Sequence, residues 1–392
     1  MTLGVEGGPP KVPLLRNPRV RGLAVQIVLF LLLAGLVYMA VLAAGENLRR
    51  AGVSTGFGFW RQPAGFDISQ TLIEYSSATS TYGRAFWVGL LNTLLVSAIG
   101  IVLATILGFV IGIARLSSNW LVERCATGYV ELIRNIPLLL QLLFWYNAVL
   151  KALPDFRESL RLGEGIFLNN RGLFLPAPDF GGAGDLVAGA FALGLVGALV
   201  LAVLALRKRL GALSATAGAV TLVVGLPVMV VLASGAHVTF DYPQMGRFNL
   251  RGGMEILPEF TALVIGLVIY TAAFIAEAVR AGIQAIPRGQ AEAAYALGLR
   301  RLPALRLVIV PQAMRVIIPP LTNQYLNLTK NSSLAVAIGY PDLVQIFTGT
   351  VLNQTGQAVE IVAITMAVYL TISLVTSFLM NIYNARMAAV ER

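Results

Sequence analysis

The chain has 392 residues, 57% of them hydrophobic and only 12% charged, against about 25% charged in ordinary soluble domains. With a mean hydropathy of +0.77, this excludes a water-soluble globule and points to an integral membrane protein. One cysteine, Cys125, and one histidine, His237, exclude an internal disulfide and a cysteine–histidine metal site. The net charge of +10 is explained by the bilayer, through the positive-inside rule, without a nucleic-acid partner.

Crossing about 30 Å of hydrocarbon takes roughly 20 apolar residues as helix. After a basic tail, 1–21, the first such run covers 23–44, giving a first transmembrane helix at 22–45. It exceeds the length of a signal-peptide core and lacks a cleavage-like site, so it is expected to be retained. The next run, 86–114, carries Asn92, Thr93 and Ser97, which read as helix-to-helix glue, and a G-x-x-x-G pair, Gly108 and Gly112, which reads as a close helix contact. A third span is expected at 136–150 with its preceding turns. Runs at 186–206 and 213–234 are almost free of polar groups and read as peripheral, lipid-facing scaffold. Further spans are expected at 260–276, 307–328 and 361–383, eight in all.

With the amino terminus inside, the inner segments hold 18 of the 29 Lys and Arg residues and 6 of the 19 acids. That asymmetry puts both termini in the cytoplasm. Outer segments 46–85, 151–185 and 235–259 are too short to form a sizeable separate domain.

The inner stretch 277–311 is the most informative. Residues 289–297, GQAEAAYAL, follow a Pro287-Arg288-Gly289 turn and predict a short helix. Gly298 is placed to close it in the left-handed conformation, and Leu302-Pro303 restarts a helix that runs into the membrane. Ala291, Ala293, Ala294 and Ala296 offer little bulk, so a partner can approach closely, with Gln290, Glu292 and Tyr295 as handles. An amphipathic loop lying on headgroups is the competing reading.

Glu292-Ala293-Ala294, three residues, Gly298, nine residues, then Val308-Ile309-Val310-Pro311 resembles the EAA loop of bacterial ABC importer permeases. Residues 270–290, 310–334 and 129–146 are similar to the segments around that loop in the polar amino-acid uptake family. The "NNRGLFLP" segment, 169–176, followed by two extra spans at about 186–234, resembles the long permease subunits of general L-amino-acid and glutamate/glutamine/aspartate/asparagine transporters. The resemblance implies an all-α polytopic membrane protein of the inner membrane, with the five-helix core of a type I ABC importer permease inside a permease domain at 86–388. It assigns coupling to Gly289, Gln290, Glu292, Ala293, Ala294, Gly298 and Pro311. It also implies partners: two cytoplasmic ATPase subunits carrying ATP and Mg, a second homologous permease (or a second copy of this chain), and a periplasmic amino-acid-binding protein.

No G-x-x-x-x-G-K-[ST] phosphate cradle occurs, so the chain is expected to bind no cofactor and to take its energy from a partner. Pro311, Pro319 and Pro320 remove backbone donors from one span, which kinks it or leaves carbonyls for a ligand. Asn323, Asn327 and Lys330 share a helical face. Lys330 and Arg315 suit a substrate carboxylate, while snorkelling to the outer interface is the other reading of Lys330. Glu131 with Arg134, and Glu277 with Arg280, either pair locally or reach across a subunit boundary. An ion-coupled secondary transporter or channel would need related halves and a buried acid, and a membrane enzyme a cluster of reactive side chains at depth. Neither is read in this sequence: no internal repeat and no acid in mid-span is found.

Overall fold

Ladders of small residues set how the spans meet. The computed structural model describes residues 18–50, 56–206 and 212–388. Helix α1 (Pro18–Arg50) runs alone, and α2 (Tyr82–Ala114) lies along the most enclosed span, α8 (Pro258–Gln284). A Cβ on Gly108 would sit 2.5 Å from the Ile275 side chain, and one on Gly112 would sit 2.8 Å from the Ala276 carbonyl. The expected close contact at this G-x-x-x-G pair is therefore between α2 and α8. Lipid offers no hydrophobic drive to associate helices, so backbones held at this distance supply the packing energy.

The expected third span is sharply broken. Helix α3 (Trp120–Asn135) and helix α4 (Leu138–Leu143, continued as a π-helix over Phe144–Leu150) meet at 104°. Pro137 excludes helical geometry from Ile136, whose φ and ψ are −100° and 126°. The carbonyls of Ile133 and Ile136 freed by the break accept from the Gln141 amide at 3.0 and 2.9 Å.

The connections on either side of residues 184–234 add short strands to the helical bundle. Short strands β1 (Leu160–Arg161), β2 (Phe167–Asn169) and β3 (Gly172–Leu175) precede β4 (Ala177–Asp179). Helix α5 (Gly184–Leu206) then leads to α6 (Ala212–Val220) and α7 (Leu226–Ser234), joined through a π turn. Strands β5 (Thr239–Asp241), β6 (Gln244–Met245), β7 (Leu250–Arg251) and β8 (Met254–Ile256) return the chain to α8. β4 pairs with β5 as a neck, Ala177 opposite Asp241 and Asp179 opposite Thr239. The 180–238 insertion therefore leaves and rejoins at one point, and its helices pack mainly on each other as a peripheral hairpin. The antiparallel order β1-β2-β3-β8 splices these connections to the start of α8.

After α8 come α9 (Arg288–Ala296), α10 (Arg301–Ala304), a π turn over Leu305–Ile309, and α11 (Val310–Asn331). Helix α12 (Leu352–Thr355) precedes α13 (Ala358–Ala388). Among the described residues, seven helices are long and apolar enough to span, or eight if the bent pair counts as one span.

Asn92 and Thr93 are glue of a particular kind: they hold the loop after α11 against α2. Asn92 donates to the carbonyls of Gln70 and Pro341, each at 2.9 Å, and Thr93 accepts from the Leu343 amide at 3.1 Å. This loop carries Asp342, a fully enclosed acid that the search for mid-span acids does not find. One carboxylate oxygen accepts from the Gln345 amide at 2.8 Å, the other from the Tyr369 hydroxyl at 3.2 Å.

Gly108→Ala is expected to destabilise the protein by about 1–3 kcal/mol through overpacking. Gly189→Ala, on the peripheral hairpin where a Cβ meets nothing within 4 Å, is expected to be neutral or mildly stabilising, by up to about 1 kcal/mol. Thermal unfolding of the two variants in detergent checks the contrast.

Candidate functional site

The elbow between α8 and α11 has the expected break. Helix α9 ends at Ala296, and Gly298 stands at φ +79°, where any other L-residue is strained. The Gly298 amide donates to Tyr295 at 2.9 Å and the Leu299 amide to Ala294 at 3.1 Å, closing the helix with a reversal. Gly289, Gln290, Glu292, Ala293 and Gly298 are exposed, as are Tyr295 and Leu297, the latter at 83%. Ala294 is corrected: it is 3% exposed and faces the chain's own interior, so it packs the elbow instead of offering it.

Two links tie the elbow to the membrane. Gln312 at the start of α11 donates to Gln290 at 3.2 Å. Half-buried Pro311 has no N–H for the Leu307 carbonyl, and the turn before it widens to π geometry. α10, the π turn and α11 thus run on without a loop.

On α11, Pro319, Pro320, Asn323, Asn327 and Lys330 are all exposed and fall on one side of the helix. The two internal prolines leave the Arg315 and Val316 carbonyls without their usual donors on or beside this side. Arg315 itself is half-buried, off the stripe. Lys330 borders a groove of about 410 Å³ with Ser333, Thr365, Tyr369 and Ser373. A row of amides and an ammonium is costly against lipid tails, so it suits a water-filled path or a second protein surface.

Near the C-terminal ends of α2 and α8 lies a charge hub. Glu277 pairs with Arg280 at 2.5 Å and with Arg115, and Arg134 approaches it at 4.0 Å. The Arg134 guanidinium also lies 5.0 Å from the Phe274 ring centre. The local pairing of Glu277 with Arg280 is present. That of Glu131 with Arg134 is not: Arg134 turns to Glu277, and Glu131 lines the same cleft of about 470 Å³. Arg115 and Arg134 come to the hub from α2 and α3, a meeting no helical spacing announces.

On β8, burial raises the Glu255 carboxyl above the usual carboxylate range, with Arg171 opposing and Glu259 adding to the shift.

A bundle of membrane-length helices, with an exposed elbow leading into a polar-faced span, defines a polytopic membrane protein. Residues 215–389 match the family described as "Binding-protein-dependent transport system inner membrane component". The chain belongs to the family of amino-acid ABC transporter permeases. It is 52% identical over 96% of both chains to YhdX of Escherichia coli (strain K12), described as an amino-acid ABC transporter permease protein. It is 51% identical, over 96% of this chain and 94% of the other, to the general L-amino acid transport system permease protein AapQ of Rhizobium johnstonii. Over the full length of both it is 44% identical to the glutamate/glutamine/aspartate/asparagine transport system permease protein BztB of Rhodobacter capsulatus.

Glu277→Gln leaves three arginines sharing one neutral partner and is expected to cost on the order of 1–3 kcal/mol, reduced from a fully buried pair by the site's partial exposure. The loss is to be read from thermal unfolding of the solubilised protein. Arg134→Gln, at the longest of the three contacts, is expected to cost less.

Proposed function

We propose that this chain is the translocating subunit of an importer that carries polar L-amino acids across the inner membrane, with both termini cytoplasmic. Two ATPase subunits carrying ATP and Mg grip the α9 elbow. A second permease, homologous or a copy of this chain, closes the pathway along the polar side of α11, and a periplasmic amino-acid-binding protein delivers the cargo. The chain itself hydrolyses nothing.

The observation that carries this reading is the continuity from α10 to α11, with α9 bonded to the start of α11 through Gln290 and Gln312. Gly289, Gln290, Glu292, Ala293 and Leu297 form the outward-facing grip, and Ala294 and the Gln290–Gln312 bond anchor it. Pro311 lies at the joint with α11. A displacement of the elbow therefore reaches Asn323, Asn327 and Lys330 through the Gln290–Gln312 bond and the unbroken run from α10 into α11, which can select between two packings of the bundle. In the pathway, Lys330 receives the substrate carboxylate and the side-chain carbonyls of Asn323 and Asn327 receive its ammonium, with Arg315 flanking. Asp342 is the observation on the side of ion coupling, but both of its oxygens are engaged by the protein's own donors, which suits a structural post.

Reconstitution with the ATPase, second permease and binding protein is expected to give uptake of polar amino acids that requires ATP. Uptake driven by an ion gradient without nucleotide overturns the reading. Gly298→Val forces a branched residue into the left-handed region at a cost of about 1–2 kcal/mol and is expected to lower both ATPase co-purification and uptake. Lys330→Met is expected to lower uptake about tenfold, equivalent to roughly 1.4 kcal/mol, with ATPase co-purification unchanged. Normal uptake at matched expression removes Lys330 from the pathway.

A further inference from the structure

The outer end of the bundle holds a polar hollow of about 410 Å³ that the mechanism above leaves unused. Tyr146, Lys151, Asn170, Arg171 and Glu259 line it, brought from three separate stretches of chain. The Tyr146 hydroxyl donates to Glu259 Oε1 at 2.6 Å, while the Lys151 ammonium sits 4.3 Å from the centre of the same ring. One aromatic ring thus holds an acid at its edge and a base over its face. Lys151 and Glu259 form no ion pair with each other or with any other described residue. Opposite charges kept apart in one hollow leave an opening for a ligand that carries both signs.

The second cation comes from the "NNRGLFLP" segment. Asn169 and Gly172 face each other across the β2–β3 hairpin, so Asn170 and Arg171 form its two-residue tip. The Asn169 side chain accepts from the Arg171 amide at 2.8 Å and donates to Ser159 at 2.9 Å, which fixes the tip. Gly172, at φ +138°, is pressed against the Ile256 carbonyl, where a side chain has no room. Arg171 donates to the Phe248 carbonyl at 2.6 Å and stacks 4.6 Å from the Phe156 ring centre, which leaves its remaining N–H groups to the hollow and to Glu255. The Asn170 side-chain oxygen is closed off from solvent without a hydrogen-bond donor, an acceptor short of its partner.

We propose that this hollow is an outer binding site for the zwitterionic head of a free α-amino acid, with the carboxylate toward Lys151 and Arg171 and the ammonium toward Glu259. The site belongs to this subunit alone and holds cargo before it enters the bilayer path. It reads the backbone groups common to all amino acids and leaves the side chain unselected. The inference rests on amino acids being the cargo.

The test uses the full chain purified in lipid nanodiscs, without ATPase or binding protein, and L-glutamine as the probe, followed by saturation-transfer NMR. Binding with a dissociation constant on the order of 1 mM is expected. Blocking either charge, with N-acetyl-L-glutamine or with the α-amide of glutamine, is expected to weaken binding about tenfold or more, as are Lys151→Gln and Glu259→Gln. The analogue comparison needs no variant and stands even where a variant fails to fold. Equal binding of both analogues, no glutamine binding, or binding lost in Lys330→Met but kept in Glu259→Gln overturns the proposal. If the reconstituted transporter imports amino acids while the hollow fails these tests, only this inference falls. If it imports none, the reading of the cargo falls first.

Discussion

The close approach of α2 to α8 is the constraint on which the other features rest. In lipid, apolar side chains gain nothing by leaving one hydrocarbon phase for another, so contact must come from dispersion at short range. Gly108 and Gly112 permit that range against Ile275 and Ala276, and Gly282 does the same for α8 against Ile317 of α11. Once α8 is held on both sides, its two ends are fixed. The N-terminal end carries Glu259 and the C-terminal part carries Glu277, so the chain's polar chemistry is placed by an apolar packing decision.

Polar contacts then fix what packing leaves free. Asn92 and Thr93 hold the 339–343 loop to α2, and Asp342 ties the same loop to Tyr369 on α13. In the C-terminal part of α8, Glu277 draws Arg115, Arg134 and Arg280 together, joining α2, α3 and α8. Each donor left unmatched at such depth is expensive, so these bonds select one arrangement among the several that apolar helices allow. The elbow is built differently. It is anchored at Ala294 and Gln290 yet exposed at Glu292, Ala293 and Leu297. The 180–238 insertion, held at its β4–β5 neck, stands outside this machinery.

Features that depend on residues near one another in the chain were readable. The reversal at Gly298 follows from glycine's freedom at positive φ, and the stripe of Asn323, Asn327 and Lys330 follows from 3.6 residues per turn. The membrane class was legible for the same reason. Ala294 shows the limit: four alanines in one short helix look alike in sequence, and only the packing of α9 turns one of them inward. Pro137 was visible in sequence, but the 104° between α3 and α4 was not, because proline announces a break without fixing the angle of the chain beyond it.

The sequence by itself determined that this chain lives in a bilayer, how many times it can cross, where its elbow lies and which kind of machine it serves, because hydrophobic length, charge asymmetry and helical spacing are local quantities. The tertiary structure decided which charges meet. Arg115 reaches Glu277 across 162 positions, and Tyr146 reaches Glu259 across 113. Electrostatic and hydrogen-bonded partners are chosen by distance in space, and that distance exists only after the glycine and alanine faces of α2, α8 and α11 have closed on one another.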